Sequence, residues 1–193
     1  MINHIEGRVL EKNPTYAVID CNGMGYYVNI TINTYSKIGS SEKCKLLTHV
    51  ITSQQDYSQN MYGFFDEHER SVFRHLISVS GVGASTARMV LSSLSPSEVQ
   101  SAVAKGDAGV FRSIKGIGDK TAQRIIVDLS GKLEKSISPL KLGTDNKTRD
   151  EALMALLTLG FAKNNSEKAI DKALSGRPGL SVEQAVKEAL KNL

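Results

Sequence analysis

Two stretches of the chain are close copies: S-V-S-G-V-G-A-S-T at 78–86 and S-I-K-G-I-G-D-K-T at 113–121. Registered on their glycines, Gly81 falls on Gly116, Val82 on Ile117, Gly83 on Gly118 and Thr86 on Thr121. The apolar positions keep step beyond the turn, with Ala87 on Ala122, Val90 on Ile125, Leu91 on Ile126 and Leu94 on Leu129. The chemistry such a pattern can do is anion binding by the backbone. Glycine lacks a Cβ, so the chain turns sharply and its amides come close to a ligand. The helix after the second glycine presents unpaired N–H groups and the positive end of its dipole, which suit a phosphate. Contacts of this kind read no bases. In each copy the middle apolar residue, Val82 or Ile117, is expected to plug the gap between two helices. Ser85 and Arg88 in the first copy, and Lys120, Thr121 and Arg124 in the second, are the polar side chains placed to help. One copy alone reads as a tight helix–helix turn; two with matching flanks point to DNA.

Other chemistries fit less well. Gly118-Asp119-Lys120-Thr121 is not a nucleotide-binding loop, which needs glycine directly before the lysine and another five residues before that. His68 and His75 share a helical face seven residues apart but have no third ligand nearby in sequence, so a metal is not expected and both read as solvated. Cys21 and Cys44 show no Cys-x-x-Cys spacing, which favours a reduced chain over a disulfide or zinc scaffold. Tyr26, Tyr27 and Tyr57 have rings on which bases could stack, although aromatics in a small barrel more often pack.

The elements that must position the turns follow from hydrophobic period. Residues 1–63 read as about five strands. Y-A-V-I-D-C meets M-G-Y-Y-V-N-I-T-I across Asn22-Gly23, a pair suited to a two-residue hairpin. I-E-G-R-V-L precedes them, C-K-L-L-T-H-V-I-T follows, and a polar loop at 53–60 separates the last two, which suits an OB-fold barrel. From Asp66 the period becomes helical, with Val72, Phe73, Leu76 and Ile77 on one face and Ala87, Val90, Leu91 and Leu94 on the next. Ser95-Pro96-Ser97-Glu98 is a capping box with proline at the first helical position. Val110, Phe111 and Ile114 carry a short helix, and Ala122 to about Leu133 a longer one.

Residues 134–147 contain Pro139 and Gly143 with no sustained period and read as a flexible linker. Beyond it, Thr148–Glu151 reads as a capping box, Gly160 as a helix stop and Ser181–Gln184 as a second box, giving three helices in 148–193. So small a bundle commonly leaves apolar surface for a partner. The expected architecture is multidomain, β then α: barrel 1–63, all-α tandem hairpins 64–133, linker 134–147 and a three-helix bundle of the ubiquitin-associated type 148–193.

The 193 residues are 40% apolar and carry a net charge of +4, enough for real cores and compatible with a nucleic-acid partner. The barrel region is neutral, with five basic and five acidic residues; each later segment, 64–135 and 136–193, carries an excess of two basic residues. No apolar run approaches the roughly 18 residues of a membrane span and no signal-peptide core is evident, so a cytoplasmic location is expected.

The doubled motif resembles the helix-hairpin-helix family, whose paired form grips both backbones across a minor groove. A DNA-repair enzyme, nuclease or glycosylase, using these hairpins as its grip is the rival reading. Residues 131–141, where that resemblance would place a catalytic aspartate, contain none. The order of elements over the whole chain resembles the RuvA family of bacterial Holliday-junction-binding proteins. The residues that carry it are G-R-V-L-E-K at 7–12, N-G-M-G-Y at 22–26, M-Y-G-F at 61–64, E-R-S-V-F-R-H-L-I at 69–77 and G-I-G-D-K-T-A-Q-R-I-I-V-D-L at 116–129.

That resemblance implies a non-catalytic homotetramer, single or as two facing tetramers, that holds a four-way DNA junction open. Each hairpin pair would grip one arm through Gly81, Val82, Gly83, Ser85, Arg88, Gly116, Ile117, Gly118, Lys120, Thr121 and Arg124. It implies a RuvB ATPase partner bound through 148–193, with Leu156, Leu159 and Phe161 as the contacts, and RuvC resolvase as a further partner, in recombination, repair and the SOS response. No cofactor is implied. Two features depart from the family pattern. Ser85 and Asp119 stand where relatives usually have lysines, which shifts the grip toward backbone N–H groups. The loop that forms an acidic pin at the junction centre is two residues longer here and offers Asp56 alone, after Gln54 and Gln55, where relatives have two adjacent carboxylates.

Overall fold

The computed structural model describes residues 2–52, 57–137, 144–175 and 180–193, with 131–137 and 144–147 described by their backbone alone. Contacts divide the chain into two units, Met1–Lys135 and Ser136–Leu193.

Five strands open the first unit: β1 His4–Asn13, β2 Tyr16–Cys21, β3 Met24–Asn29, β4 Lys43–Thr52 and β5 Gln59–Phe64. They close into a barrel in the order β1-β2-β3-β5-β4, antiparallel throughout except where β3 meets β5 at Asn29 and Tyr62. Asn22 and Gly23 take φ of 53° and 90°, the paired positive values that a two-residue hairpin needs. The Gly23 N–H also donates to the Asp20 carboxylate at 2.7 Å. Alternation puts Ala17 and Ile19 inside the barrel with Ile5, Val28, Ile30, Ile38 and Leu46. Each of these valine, leucine and isoleucine side chains contributes about 1.5–3 kcal/mol on burial.

The strand expected over 24–32 stops at Asn29, and a helix, α1, occupies Ile32–Ile38. Ile30, Thr31 and Ile32 have the β-branching of a strand, but Thr31 acts as the helix N-cap, its hydroxyl accepting from the Thr34 N–H at 3.0 Å.

The helical part of this unit comprises α2 Glu67–Ile77, α3 Ala84–Ser93, α4 Pro96–Lys105, α5 Ala108–Arg112 and α6 Asp119–Ile137. The capping box at α4 forms as read: the Ser95 N–H donates to Glu98 at 2.7 Å and the Glu98 N–H to the Ser95 hydroxyl at 3.3 Å. Phe73 of α2 lies 5.2 Å and 4.8 Å, ring centre to ring centre, from Tyr62 and Phe64 of β5. The barrel wall and the helical core are therefore continuous. Two buried charges on α2 add polar fastening. Glu69 is 0% exposed and accepts from the hydroxyls of Thr31 and Thr34, the latter at 2.8 Å. Arg70 donates to the Asn3 carbonyl at 2.8 Å and the Thr48 carbonyl at 3.3 Å.

The segment read as linker is helical at both ends. Residues 134–137 continue α6, and α7 begins at Thr144, ten residues after Glu134. Pro139 and the rest of 138–143 lie outside the described residues. Thr148 consequently sits inside α7 and caps nothing; with Asp145 and Asn146 upstream, the helical backbone extends one turn further back than the box signature suggested.

The second unit packs α7 Thr144–Thr158, α8 Lys163–Ser175 and α9 Val182–Leu190 around Ala152, Leu156, Ala169, Ile170, Ala185 and Ala189. Four alanines in six core positions bring the helix axes close together. Gly160, at φ 95°, ends α7, and the Phe161 N–H turns back to the Leu156 carbonyl at 3.1 Å. The capping box of α9 is present, with the Gln184 N–H 3.3 Å from the Ser181 hydroxyl. Arg149 clamps α8 by two parallel bonds to Asp171, at 2.6 and 3.0 Å.

Candidate nucleic-acid interface

The sequence repeat is a structural repeat. In the first copy α2 leads through Ser78–Gly83 into α3; in the second α5 leads through Ser113–Gly118 into α6. The turns share their bonding: Val79 N–H to Leu76 C=O at 3.1 Å and Val82 N–H to Val79 C=O at 3.0 Å in one, Ile114 to Phe111 and Ile117 to Ile114, both at 3.1 Å, in the other. Gly81 and Gly116 have φ of 89° and 90°, where a side chain on an L-residue is strained, so glycine is required there by the turn itself.

Gly83 and Gly118 are different. Gly83 has φ −82° and caps α3 without a side-chain bond. Gly118 likewise lies outside the left-handed region, and a Cβ built on either residue meets nothing within 4 Å. Neither backbone conformation nor internal packing accounts for these two glycines. Just beyond them the first helical bonds run from Ala87 to Gly83 and from Ala122 to Gly118, each 2.9 Å. The N–H groups of Ala84, Ser85 and Thr86, and of Asp119, Lys120 and Thr121, precede those bonds and point out of the helix ends.

The other expected contacts sort unevenly. Val82 and Ile117 are 4% and 5% exposed, and their N–H groups are used within the turns, so they shape the interface from beneath and offer it no donor. Ser85 and Lys120 are exposed, and Thr121 is half-buried. Arg88 is turned away from the helix tip: its Nη1 donates to the Thr15 carbonyl at 3.0 Å and to Asn29 Oδ1 at 2.9 Å, both on the barrel. Nη1 is thus committed to the barrel, and only the remaining guanidinium donors are left for the phosphate contact expected of Arg88. Arg124 stays exposed and reaches across the repeat to the Ser80 carbonyl and hydroxyl, each at 3.3 Å, which ties the second hairpin to the turn of the first.

Two cations were overlooked in the sequence. Lys115, exposed and directly before Gly116, falls on Ser80 when the copies are registered, so a comparison of the copies would have found it. Arg112, at the end of α5, pairs with Asp119 at 3.0 Å. Asp56 and the loop around it, 53–56, lie outside the described residues.

Among the described residues of the barrel region, two of the three tyrosines with rings for base stacking are engaged in packing. Tyr27 is exposed, but one face of its ring is stacked on Tyr16, 4.6 Å between centroids, and Tyr26 packs against the barrel core. Tyr57 is exposed at φ 55°. His68 is exposed whereas His75 is half-buried, and among the described residues no group of three or more metal-ligating side chains occurs. No helix of the described residues is long and apolar enough to cross a membrane.

On the second unit, Leu156 is 0% exposed and belongs to the core, so its expectation as a partner contact fails: an i, i+4 apolar face cannot by itself tell the inward residue from its neighbours. Leu159 and Phe161, at 62% and 38% exposure, are on the surface, together with Met154 at 66%.

Comparison with known proteins agrees with this arrangement segment by segment. A model of the RuvA N terminal domain matches residues 1–63, a SAM-like helix-hairpin-helix tandem matches 73–130, and the RuvA C-terminal domain matches 147–193. Proteins named Holliday junction branch migration complex subunit RuvA align over the full length of both chains: 46% identical in Flavobacterium psychrophilum, 47% in Christiangramia forsetii and 43% in Bacteroides fragilis. With the barrel, the doubled hairpin and the terminal bundle each matched in order, the chain belongs to the RuvA family.

Proposed function

We infer that the protein binds four-way DNA junctions by structure and not by sequence, acts without catalysis, and serves as the DNA-holding subunit of a branch-migration complex. The observation that carries the reading is the pair Gly83 and Gly118. Neither has a positive φ or a neighbour that a Cβ would meet, and both stand where a helix N-terminus opens to solvent. A phosphodiester backbone approaching those two tips would account for both glycines at once. The tips with Ser85, Lys115, Lys120 and Thr121 supply donors for two phosphate strands, and contacts to phosphate leave base sequence unread.

On the same reading the chain assembles as a homotetramer, one or two per junction, so that four hairpin pairs hold four arms. The second unit, 148–193, engages the RuvB ATPase through exposed Leu159 and Phe161 while RuvC resolves the product, in cytoplasmic recombination and repair. Asp56 acts by repulsion, keeping strand phosphates away from the centre. At about 4 Å in a water-like dielectric each like-charge pair costs only about 1 kcal/mol, but symmetric copies add. Asp56→Asn is then expected to tighten duplex more than junction; an unchanged ratio removes Asp56 from the crossover.

The deciding experiment is a gel shift of four-way junction, linear duplex and single-stranded DNA at matched salt, with a parallel assay for strand or base cleavage. Preferential junction binding, steeply weakened by salt and indifferent to base sequence, supports the reading. Equal affinity for all three, or cleavage by the purified chain, defeats it.

A further inference from the structure

The two hairpins are alike in backbone but not in how they are held. Helix α3 is fastened to the barrel along its length. At its middle Arg88 Nη1 bonds Thr15 C=O and Asn29 Oδ1 at 3.0 and 2.9 Å. Near its end the Ile32 N–H reaches the Ser92 hydroxyl at 3.2 Å, and the Asn33 amide donates to the Leu91 and Leu94 carbonyls, the latter at 3.1 Å. Asn29 is itself oriented, since its Nδ2 donates to the Met61 carbonyl of β5 at 3.2 Å, which turns Oδ1 toward Arg88. The position matching Arg88 in the second copy is Gln123, and it is exposed. That hairpin is registered on the first one through the shared core and the Arg124–Ser80 bonds.

We propose that Arg88 is a positioning residue, a brace that fixes the angle between the first hairpin and the barrel, and that junction selectivity depends on that angle. The inference rests on the junction-binding reading above. Both bonds leave from Nη1, so the barrel holds one edge of the guanidinium in place and leaves the Nε and Nη2 donors uncommitted. A lysine ammonium would end one bond short of the Nη1 position and would not meet both acceptors from the same backbone. The angle matters because several arms must be held at once. Linked contacts reinforce one another only while geometry allows them to engage simultaneously, and a tilt that spoils this removes the reinforcement without weakening any single contact. A linear duplex, held by one hairpin pair, imposes no such angle.

The test uses the full chain with Arg88→Met, which keeps length and loses the donors, and Arg88→Lys, which keeps charge. Junction and duplex affinities are measured over a salt series, with thermal melting as a check on folding. Arg88→Met is expected to bind junction roughly ten-fold more weakly and duplex less than about two-fold more weakly. The slope of log affinity against log salt should stay at its wild-type value for duplex while becoming shallower for junction, as arms disengage, and Arg88→Lys should fall between. If Arg88 is a phosphate ligand instead, junction and duplex affinities drop together and the duplex slope too becomes shallower, by about 0.9 per lost contact, which overturns the proposal. Should Arg88→Met fail to fold, Arg88→Lys decides, since a phosphate contact tolerates that exchange, whereas an ammonium one bond short of Nη1 loses the brace and with it part of the junction preference. A wild-type chain with no junction preference defeats both readings; a preference that survives both substitutions intact defeats this one alone.

Discussion

Arg112 Nη1 lies 3.0 Å from Asp119 Oδ1, across the turn of the second hairpin. Asp119 is the first residue of α6, so a carboxylate stands at the same helix end that offers its N–H groups to phosphate. Two anions would compete for one positive helix terminus, and Arg112 is what neutralises the resident one. Both side chains are more than half exposed, so the pair itself adds little to stability.

The consequence for binding is directional. Arg112→Ala should weaken junction affinity by roughly two- to five-fold, most at low salt, where unscreened carboxylate repels phosphate best. Adding Asp119→Asn should recover part of the loss. Gel shifts of both variants at two salt concentrations check this, and a double variant no better than Arg112→Ala would show that Asp119 plays no part.

The two kinds of glycine should separate by experiment. Gly116→Ala places a side chain at φ 90° and is expected to cost about 1 kcal/mol or more of stability, read by urea unfolding. A Cβ at Gly118 meets no atom of the chain within 4 Å, so Gly118→Val should cost far less stability than Gly116→Ala while junction binding is lost. A Gly118→Val chain that binds normally would remove the hairpin tip from the interface.

On the second unit the contrast is between Leu156 and Phe161. Leu156→Ala empties a fully buried site and should destabilise the bundle by about 2–5 kcal/mol. Phe161→Asp should leave the bundle folded and the gel shift unchanged while lowering stimulation of the RuvB ATPase roughly ten-fold or more. Stimulation that persists in a folded Leu159→Asp, Phe161→Asp double variant would place the motor contact elsewhere.

Glu69 gives a pH signature. Burial raises its carboxyl above the ordinary glutamate value of 4.5, and the Thr31 and Thr34 hydroxyls, with Lys37, offset only part of that; neighbouring Asp66 pushes the same way as burial. A folded-state pKa raised above the unfolded one gives a contribution present below the unfolded value and lost as pH rises through the folded one. Asp66 runs oppositely: burial pushes it up, but Lys37 and the Glu69 N–H outweigh that, so its contribution is lost on acidification. Glu69→Gln removes the first effect alone. The stability of Glu69→Gln relative to wild type should therefore rise as pH goes from about 4 to 7; a difference that falls or stays flat over that range would mean that burial does not raise the Glu69 carboxyl.

Much of this protein is decided locally, and those parts were legible in the sequence. The Asn22-Gly23 hairpin, the Ser95 and Ser181 capping boxes, the stop at Gly160 and the doubled turn all depend on residues within a few positions of one another. Their conformational preferences act before any tertiary contact exists. The departures arise where a distant partner decides. Thr31 looked like strand until its hydroxyl found Thr34 and the buried Glu69, 38 residues away. Arg88 looked like a free cation because its acceptors, Thr15 and Asn29, lie 73 and 59 residues upstream. Leu156, Leu159 and Phe161 are equally apolar, and only the packing of α7 against α8 and α9 settles which of them faces inward. Side-chain type fixes what a residue can bond; which groups come within bonding distance is set by the closed barrel and the helices docked on it.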